Sequence, residues 1–180
     1  MRHTPNQKLA LASFFMALGI VLPFLTGQIP EIGSRLLPMH IPVLLCGFFC
    51  GWKYGFGVGL LTPIFRSLLF TMPPMYPTAV SMSFELAAYG ALTGILYLVL
   101  PKKTPFIFVA LILAMIGGRI VMGLANTILY SAAGNNYSFK MFITGAFVFA
   151  LPGIIVQIII IPIIVRALQQ VNPNYVLENN

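Results

Sequence analysis

The sequence predicts an all-α integral membrane protein, and three features point to this class. Hydrophobic residues make up 59% of the 180 residues and charged residues only 7%, whereas a soluble domain carries about 25% charged residues. The apolar residues fall into six runs, and all of them except the second approach or exceed the ~20 residues that a helix needs to cross a bilayer. The ten Lys and Arg residues are spread singly along the chain, which is typical of topology signals rather than of a nucleic-acid-binding patch. Soluble enzymes, nucleic-acid-binding domains and disordered regions are therefore excluded.

The first three spans are predicted from runs in the first half of the chain. Run 9–25 follows a polar, basic N-terminus and no small-x-small cleavage site follows it, so it is predicted to be a retained first helix. Run 41–50 is short and reaches span length only if its helix begins near Leu36 or crosses buried between other helices. Run 56–71 follows a predicted tight loop at 51–55 and forms the third span.

Three later runs complete the count. The segment 72–77 contains three prolines and cannot continue a helix. Runs 79–100 and 105–130 are long enough to span, and the second begins with a proline, which is favoured in a first turn. Run 141–165 is predicted to be a sixth helix, kinked by its two prolines. The whole chain, 1–180, is thus predicted to form one domain of six transmembrane helices with short loops.

The charged residues of the loops predict the orientation, because cytoplasmic loops are enriched in Lys and Arg. With six spans, alternate loops lie on the same side of the membrane, and the six cations on one side outnumber the two on the other. Both termini are therefore predicted to be cytoplasmic. The cytoplasmic set is Arg2, Lys8, Lys53, Lys102, Lys103 and Arg166, and the outer set is Arg35 and Lys140.

Three ionisable residues, Arg66, Glu85 and Arg119, lie within the apolar runs, towards their predicted outer ends. Each costs ~3 kcal/mol at the centre of a bilayer and should face protein, water or ligand. One interpretation is a structural ion pair between Glu85 and Arg119. The other is a pocket with spare positive charge, suited to an anionic or strongly polar solute. The candidate site combines the three charges with Tyr76, Ser81, Asn126, Tyr130 and Asn135, and Ser83, Asn136 and Tyr137 lie at the same level.

The sequence lacks the motifs of the common catalytic and nucleotide sites. It contains no Walker A loop, no Asp, no nucleophile elbow and no His-Glu-x-x-His motif. The two histidines, His3 and His40, have no carboxylate near them in sequence to orient them. Cys46 and Cys50 share one helix face and are interpreted as small core residues rather than metal ligands. No enzyme activity, cofactor or metal site is therefore expected.

Four segments carry a resemblance to a known family. The segment LLPMHIPVLLCGFFCGWKYG at 36–55 resembles the second-helix region of the substrate-binding S components of energy-coupling factor (ECF) vitamin transporters. GLLTP at 59–63, MPPMYP at 72–77 and FELAAYG at 84–90 strengthen the resemblance. It extends over essentially the whole chain, including the six spans, the cytoplasmic N-terminus and the short loops.

The resemblance implies a role and partners. S components are multi-pass proteins of the bacterial plasma membrane that capture a vitamin from outside, in a site in the outer half of the membrane. They then dock on a shared membrane coupling subunit driven by two cytoplasmic ATPases. The family's docking motif is Ala-x-x-x-Ala in the first helix, and the nearest match here is Ser13 with Ala17. The chain is most similar to pantothenate-type members, with cobalamin, pyridoxine-type and pyrimidine-type vitamins as alternatives.

Two other functions are kept open at this point. The first is a stand-alone small-solute channel or secondary carrier. A channel needs polar groups through its full depth, whereas the embedded polar residues of this chain cluster towards one side. The second is an accessory assembly subunit whose charges are purely structural, and binding of a solute by the isolated chain would exclude it.

Overall fold

The computed structural model describes residues 4–26 and 29–171, and all regular structure within these ranges is helical. The prediction of an all-α fold is confirmed for this part of the chain. A 3₁₀ segment, Leu22–Thr26, extends the first helix, and a π-helical turn at Thr144–Phe149 precedes the last one. The short segment Met75–Ala79 leads into α5 across a kink at Tyr76, whose backbone is extended (φ −121°, ψ 135°). The α-helices are α1 (Pro5–Val21), α2 (Pro30–Leu36), α3 (His40–Cys50), α4 (Trp52–Phe70), α5 (Val80–Val99), α6 (Thr104–Ala132), α7 (Phe139–Ile143) and α8 (Leu151–Val171).

Four helical segments are long and apolar enough to cross a membrane, and they correspond to the first, fourth, fifth and sixth predicted spans. The helix α4 has 19 residues but does not reach the hydropathy of these four, and α3 is apolar but has only 11 residues. Length and hydropathy thus support four of the six predicted spans. The four segments are Pro5–Leu25, Met75–Val99, Thr104–Ala132 and Leu151–Gln170.

The predicted loop at 51–55 is wrong, and of the two possibilities for the second run, the early start near Leu36 is not the one observed. Only Gly51 forms the turn, with a φ of 91° that favours glycine, and α4 begins directly at Trp52. The helix α3 does not begin near Leu36, because Leu37 adopts a left-handed conformation (φ 50°) that ends α2. Every residue of α3 except Ile41 is buried, so the second of the two predicted possibilities, a short helix buried between others, is the one observed.

The sixth predicted span is not one continuous helix. The α7 helix and the π-helical turn after it end at Phe149, and α8 begins at Leu151. The interruption lies two residues before Pro152, which cannot donate a backbone hydrogen bond to the preceding turn. The second proline, Pro162, lies inside α8, which continues past it.

The helix α5 is central and packs against α3, α4 and α6. Its contact with α4 depends on glycine, because a Cβ atom added at Gly90 would overlap the backbone of Gly55. Small residues of this kind let two helix backbones approach closely inside a membrane. The close approach of α4 and α5 therefore follows from the absence of side chains at these two positions.

The two ends of the helix bundle differ in charge. Tyr54 donates a hydrogen bond of 3.3 Å to the Pro5 carbonyl, which joins the starts of α1 and α4. Gln169 donates one of 2.6 Å to the Tyr97 hydroxyl, which joins the last turns of α5 and α8. We call the end of the bundle that contains these two hydrogen bonds the basic end. The opposite end is called the cavity end, after the cavity described below. Among the described cations, the cavity end holds the exposed Arg35 and Lys140, and the basic end holds Lys8, Lys53, Lys102, Lys103 and Arg166. Arg2, which was also predicted to be cytoplasmic, lies outside the described residues.

Candidate solute-binding site

A cavity of about 630 Å³ opens among the helix ends at the cavity end. Its volume is typical of small-molecule sites, which measure ~300–1,000 Å³. The wall is mainly apolar, and methionine, whose flexible thioether adapts to irregular shapes, is its commonest residue. The apolar lining includes Met39, Met72, Met82, Met122, Met141, Pro23, Pro38, Pro73, Pro74 and Leu37.

A buried ion pair forms part of this wall. Nη1 of Arg119, on α6, lies 2.9 Å from Oε1 of Glu85, on α5. Both residues line the cavity and are at most 4% exposed. The same Nη1 lies 3.7 Å from the sulfur of Met122, while Nε and Nη2 of Arg119 are buried without a hydrogen-bond partner in the described residues. The predicted ion pair therefore exists, and it leaves part of the guanidinium unpaired.

His40 lies on the other side of the Glu85 carboxylate. Its Nε2 is 3.6 Å from Oε1 of Glu85, and its ring centroid is 5.4 Å from that of Tyr89. The expectation that no carboxylate orients His40 is therefore wrong, because the packing of α3 on α5 joins residues far apart in sequence. The only signal in the sequence was a histidine at the edge of an apolar run. Neither of its ring nitrogens has a hydrogen-bond partner among the described residues.

Arg66 contributes a second guanidinium to the cavity wall. It is buried, its Nη1 donates a hydrogen bond of 2.5 Å to the Ile20 carbonyl, and its guanidinium lies 5.1 Å from the Phe24 ring and 5.7 Å from the Phe70 ring. No carboxylate among the described side chains pairs with it. The described wall therefore carries two guanidinium groups and one carboxylate.

Two further predicted residues, Asn126 and Tyr130, line the cavity together with Tyr137. The Asn126 amide donates a hydrogen bond of 3.3 Å to the Tyr137 hydroxyl, and the rings of Tyr130 and Tyr137 lie 5.3 Å apart. Burial raises the pKa of Tyr137, so this phenol stays neutral at physiological pH and can both donate and accept.

The other predicted site residues do not line the cavity. Tyr76 is exposed and its hydroxyl donates to the Leu129 carbonyl. Ser81 is buried, and its hydroxyl has no partner in the part of the chain that the structure describes. Asn135 is exposed and donates a hydrogen bond of 3.4 Å to the Ala133 carbonyl.

The residues of the predicted docking motif and of the possible metal pair lie elsewhere. Ser13 and Ala17 are both exposed on α1, and the Ser13 hydroxyl donates a hydrogen bond of 2.9 Å to the Leu9 carbonyl. Cys46 and Cys50 are buried free thiols in α3. The described residues contain no group of three or more His, Cys, Asp or Glu side chains that could hold a metal ion.

Comparison with known proteins gives one match. A family model described as "ECF transporter, substrate-specific component" matches residues 7–165. The match begins in the first turn of α1 and ends within α8, so it includes every residue of the cavity wall. No curated protein and no solved structure matches the chain significantly.

Proposed function

The chain belongs to the family of substrate-specific components of ECF transporters, and we propose that it captures a carboxylate-bearing vitamin, with pantothenate favoured, in the cavity. Members of this family are subunits of transporters and not enzymes. The family implies a small-molecule substrate, a membrane coupling subunit and ATPases. With its long apolar helices, the chain is a multi-pass membrane protein.

The charge balance of the cavity carries the proposal of an anionic solute. Glu85 compensates Arg119 at 2.9 Å, whereas no described carboxylate compensates Arg66. In a site shielded from water, an uncompensated guanidinium attracts an anion strongly and binds a carboxylate through two parallel hydrogen bonds. We therefore assign the carboxylate of the solute to Arg66.

The remaining wall supports a solute with an apolar body and a few polar groups. Pantothenate has a branched aliphatic centre, two hydroxyl groups, one amide and one carboxylate. The methionine and proline side chains match the aliphatic part, while Glu85, Arg119, Asn126 and Tyr130 offer partners to the polar groups. Pyridoxine has no carboxylate, so the Arg66 guanidinium, which no carboxylate among the described side chains pairs with, favours pantothenate over it. Tyr76, Ser81 and Asn135 do not line the cavity, and their contact with the solute stays a prediction.

We also propose that the chain forms one domain with six spans and both termini in the cytoplasm of a bacterial cell. The concentration of Lys and Arg at the basic end supports this orientation. It turns the cavity towards the outside, where a capture subunit meets its solute. The α3 helix, although only 11 residues long, is suited to a buried crossing because neighbouring helices surround it.

Docking on the coupling subunit is assigned to the α1 face that contains Ser13 and Ala17. Both side chains are small and exposed, and small residues four positions apart let a partner helix approach closely. The resemblance to the Ala-x-x-x-Ala motif supports the same face.

Calorimetric titration of the purified full chain tests the proposed solute. We expect pantothenate to bind and pantothenol, in which an alcohol replaces the carboxylate, to bind at least ~10-fold more weakly, because a charge-assisted hydrogen bond is lost. Arg66→Gln should weaken pantothenate binding and remove this preference, whereas Arg35→Gln, which changes an exposed cation at the same end, should keep it. Equal affinity for the acid and the alcohol would exclude carboxylate recognition. Absence of pantothenate binding, together with binding of a different vitamin in a panel, would exclude pantothenate.

A further inference from the structure

Two buried polar residues of the cavity wall, His40 and Arg119, have unused hydrogen-bonding capacity. Nδ1 and Nε2 of His40, and Nε and Nη2 of Arg119, are all buried without a hydrogen-bond partner among the described residues. Buried polar groups in folded proteins are nearly always hydrogen-bonded, and each exception calls for a reason. Since both residues line the cavity, a molecule inside it is the natural source of the missing partners.

The Glu85 carboxylate determines which nitrogen of His40 carries the proton. Nε2 is the nitrogen that faces Oε1 of Glu85, at 3.6 Å. A lone pair there would be repelled by the carboxylate, so the proton belongs on Nε2. Glu85 is already paired with Arg119, and a neutral imidazole adds no uncompensated charge to this buried cluster. Nδ1 of His40 is then a hydrogen-bond acceptor that needs a donor.

Arg119 has the opposite requirement. Nε and Nη2 of a guanidinium are donors only, and they need acceptors. His40, which offers the acceptor, and Arg119, which offers the donors, both contact the carboxylate of Glu85. The molecule that satisfies both must therefore carry a donor and an acceptor close together.

We propose that His40 contacts the captured solute and that this solute presents a hydrogen-bond donor beside an acceptor, such as a hydroxyl next to a carbonyl. The donor binds Nδ1 of His40, and the acceptor binds the unpaired nitrogens of Arg119. The inference rests on the proposed capture of a solute in the cavity and names the group of that solute that His40 and Arg119 recognise. The hydroxyl of pantothenate adjacent to its amide carbonyl is a group of this kind.

Two substitutions of His40 separate its two nitrogens. In His40→Gln the amide nitrogen reaches the position of Nε2 and keeps the contact with Glu85, but the acceptor at Nδ1 is lost. In His40→Asn the amide oxygen replaces the Nδ1 acceptor. We expect His40→Gln to weaken pantothenate binding about 10- to 100-fold and His40→Asn to weaken it less.

The probes are pantothenate and its analogue that lacks the hydroxyl beside the amide carbonyl. The affinity of the analogue for the wild-type chain should be as low as the affinity of pantothenate for His40→Gln. The substitution His40→Gln should not lower the affinity for the analogue any further. Thr62→Val, which changes a buried residue that hydrogen-bonds within α4 away from the cavity wall, should leave both affinities unchanged. An unchanged pantothenate affinity in His40→Gln, or an equal loss for both probes, would overturn the inference.

A spectroscopic measurement on a chain that retains His40 keeps the inference testable if the His40 variants do not fold. The sequence has two histidines, His3 and His40, so ¹⁵N-histidine labelling of the His3→Gln chain reports on His40 alone. We expect a bare Nδ1 and a protonated Nε2, with the Nδ1 resonance moving on addition of pantothenate. A proton on Nδ1 overturns the role of His40, whereas absence of pantothenate binding to the wild-type chain, with binding of another vitamin, overturns the pantothenate assignment. The two failures are therefore distinguishable.

Discussion

Glu85 organises the charged part of the cavity wall, because its carboxylate faces both Arg119 and His40. A buried ion pair contributes little net stability compared with apolar residues of the same shape. Removing only one partner is far more costly, because an uncompensated charge stays buried. The presence of this pair in an otherwise apolar wall is therefore better explained by solute recognition than by stability.

The first prediction concerns Arg119. Arg119→Ala leaves the Glu85 carboxylate buried without its cation, so we expect the free energy of unfolding to fall by ~3–5 kcal/mol. The double variant Arg119→Ala with Glu85→Ala should recover most of this stability. Its pantothenate affinity should stay about 10- to 100-fold below that of the wild-type chain, because the hydrogen bonds of Arg119 to the solute are still missing. Thermal melting and calorimetry of the same samples measure both quantities.

The double variant also separates the two interpretations of the ion pair. If it is both stable and unimpaired in affinity, the pair is structural and Arg119 does not belong to the site. Arg35→Ala provides the matched control, since Arg35 is an exposed arginine at the same end of the molecule and should affect neither measurement.

Among the helices, α4 and α5 form the most closely packed pair. Their backbones meet at Gly55 and Gly90, where there is no room for a Cβ atom. Interiors of proteins are close-packed, so added atoms there force the backbone to move. This contact holds α5, which carries Glu85, against α4, which carries Arg66.

The second prediction tests this contact. We expect Gly90→Val to lower the free energy of unfolding by at least ~1–3 kcal/mol, because the valine side chain must displace the α4 backbone. Gly57→Ala is the control within α4, since a Cβ atom added at Gly57 would meet no heavy atom within 4 Å, and alanine is the better helix former. A Gly90→Val chain as stable as Gly57→Ala would show that α4 and α5 do not depend on close approach.

The α1 helix has a different character, because most of its surface faces away from the bundle. In the most apolar stretch of 18 residues within Pro5–Leu25, only 22% is buried. The hydrogen bond from Arg66 to the Ile20 carbonyl attaches its last turn to α4 at the cavity end. The helix is thus exposed to a partner along its length and attached beside the solute cavity.

The third prediction concerns docking through α1. Ala17→Trp should block close approach of the coupling subunit, so uptake by the assembled transporter should fail while solute binding by the isolated chain persists. Phe14→Trp is the matched control, since Phe14 is an exposed and already bulky residue of the same helix. Transport at the wild-type rate by Ala17→Trp would remove this face from the docking surface.

For the molecule as a whole, the separation of charge between the two ends relates the fold to the direction of uptake. The basic end contains the exposed lysine Lys53, and the cavity lies at the opposite end. Loops rich in Lys and Arg stay on the cytoplasmic side of a membrane. In the proposed orientation, the same feature therefore places the cavity on the outer side of the membrane.

The fourth prediction is topological. In a chain whose native cysteines Cys46 and Cys50 are replaced by alanine, Lys102→Cys should react with an impermeant thiol reagent only after the membrane is opened. Asn135→Cys, in the loop at the cavity end, should react in intact cells. Labelling of Lys102→Cys from outside would invert the topology and place the cavity on the cytoplasmic side.

The sequence by itself determined the membrane class, the all-helical fold and the family. These are consequences of composition and of local patterns, which do not depend on how the helices pack. It also singled out Arg66, Glu85 and Arg119, which line the cavity, because an ionisable residue in an apolar run is costly wherever the run lies.

Only the tertiary structure decided which of these residues meet. His40 faces Glu85 because α3 packs on α5, and Arg66 bonds to Ile20 because α4 packs on α1. Ser81 and Asn135 lie off the cavity wall, which the sequence did not show either. The position of the break at Ala150 was equally hidden, since the sixth run contains two prolines and the helix is interrupted near Pro152 but continues past Pro162. Hydropathy is a property of each segment alone, whereas distances between side chains on different helices follow from how glycines and bulky residues fit together.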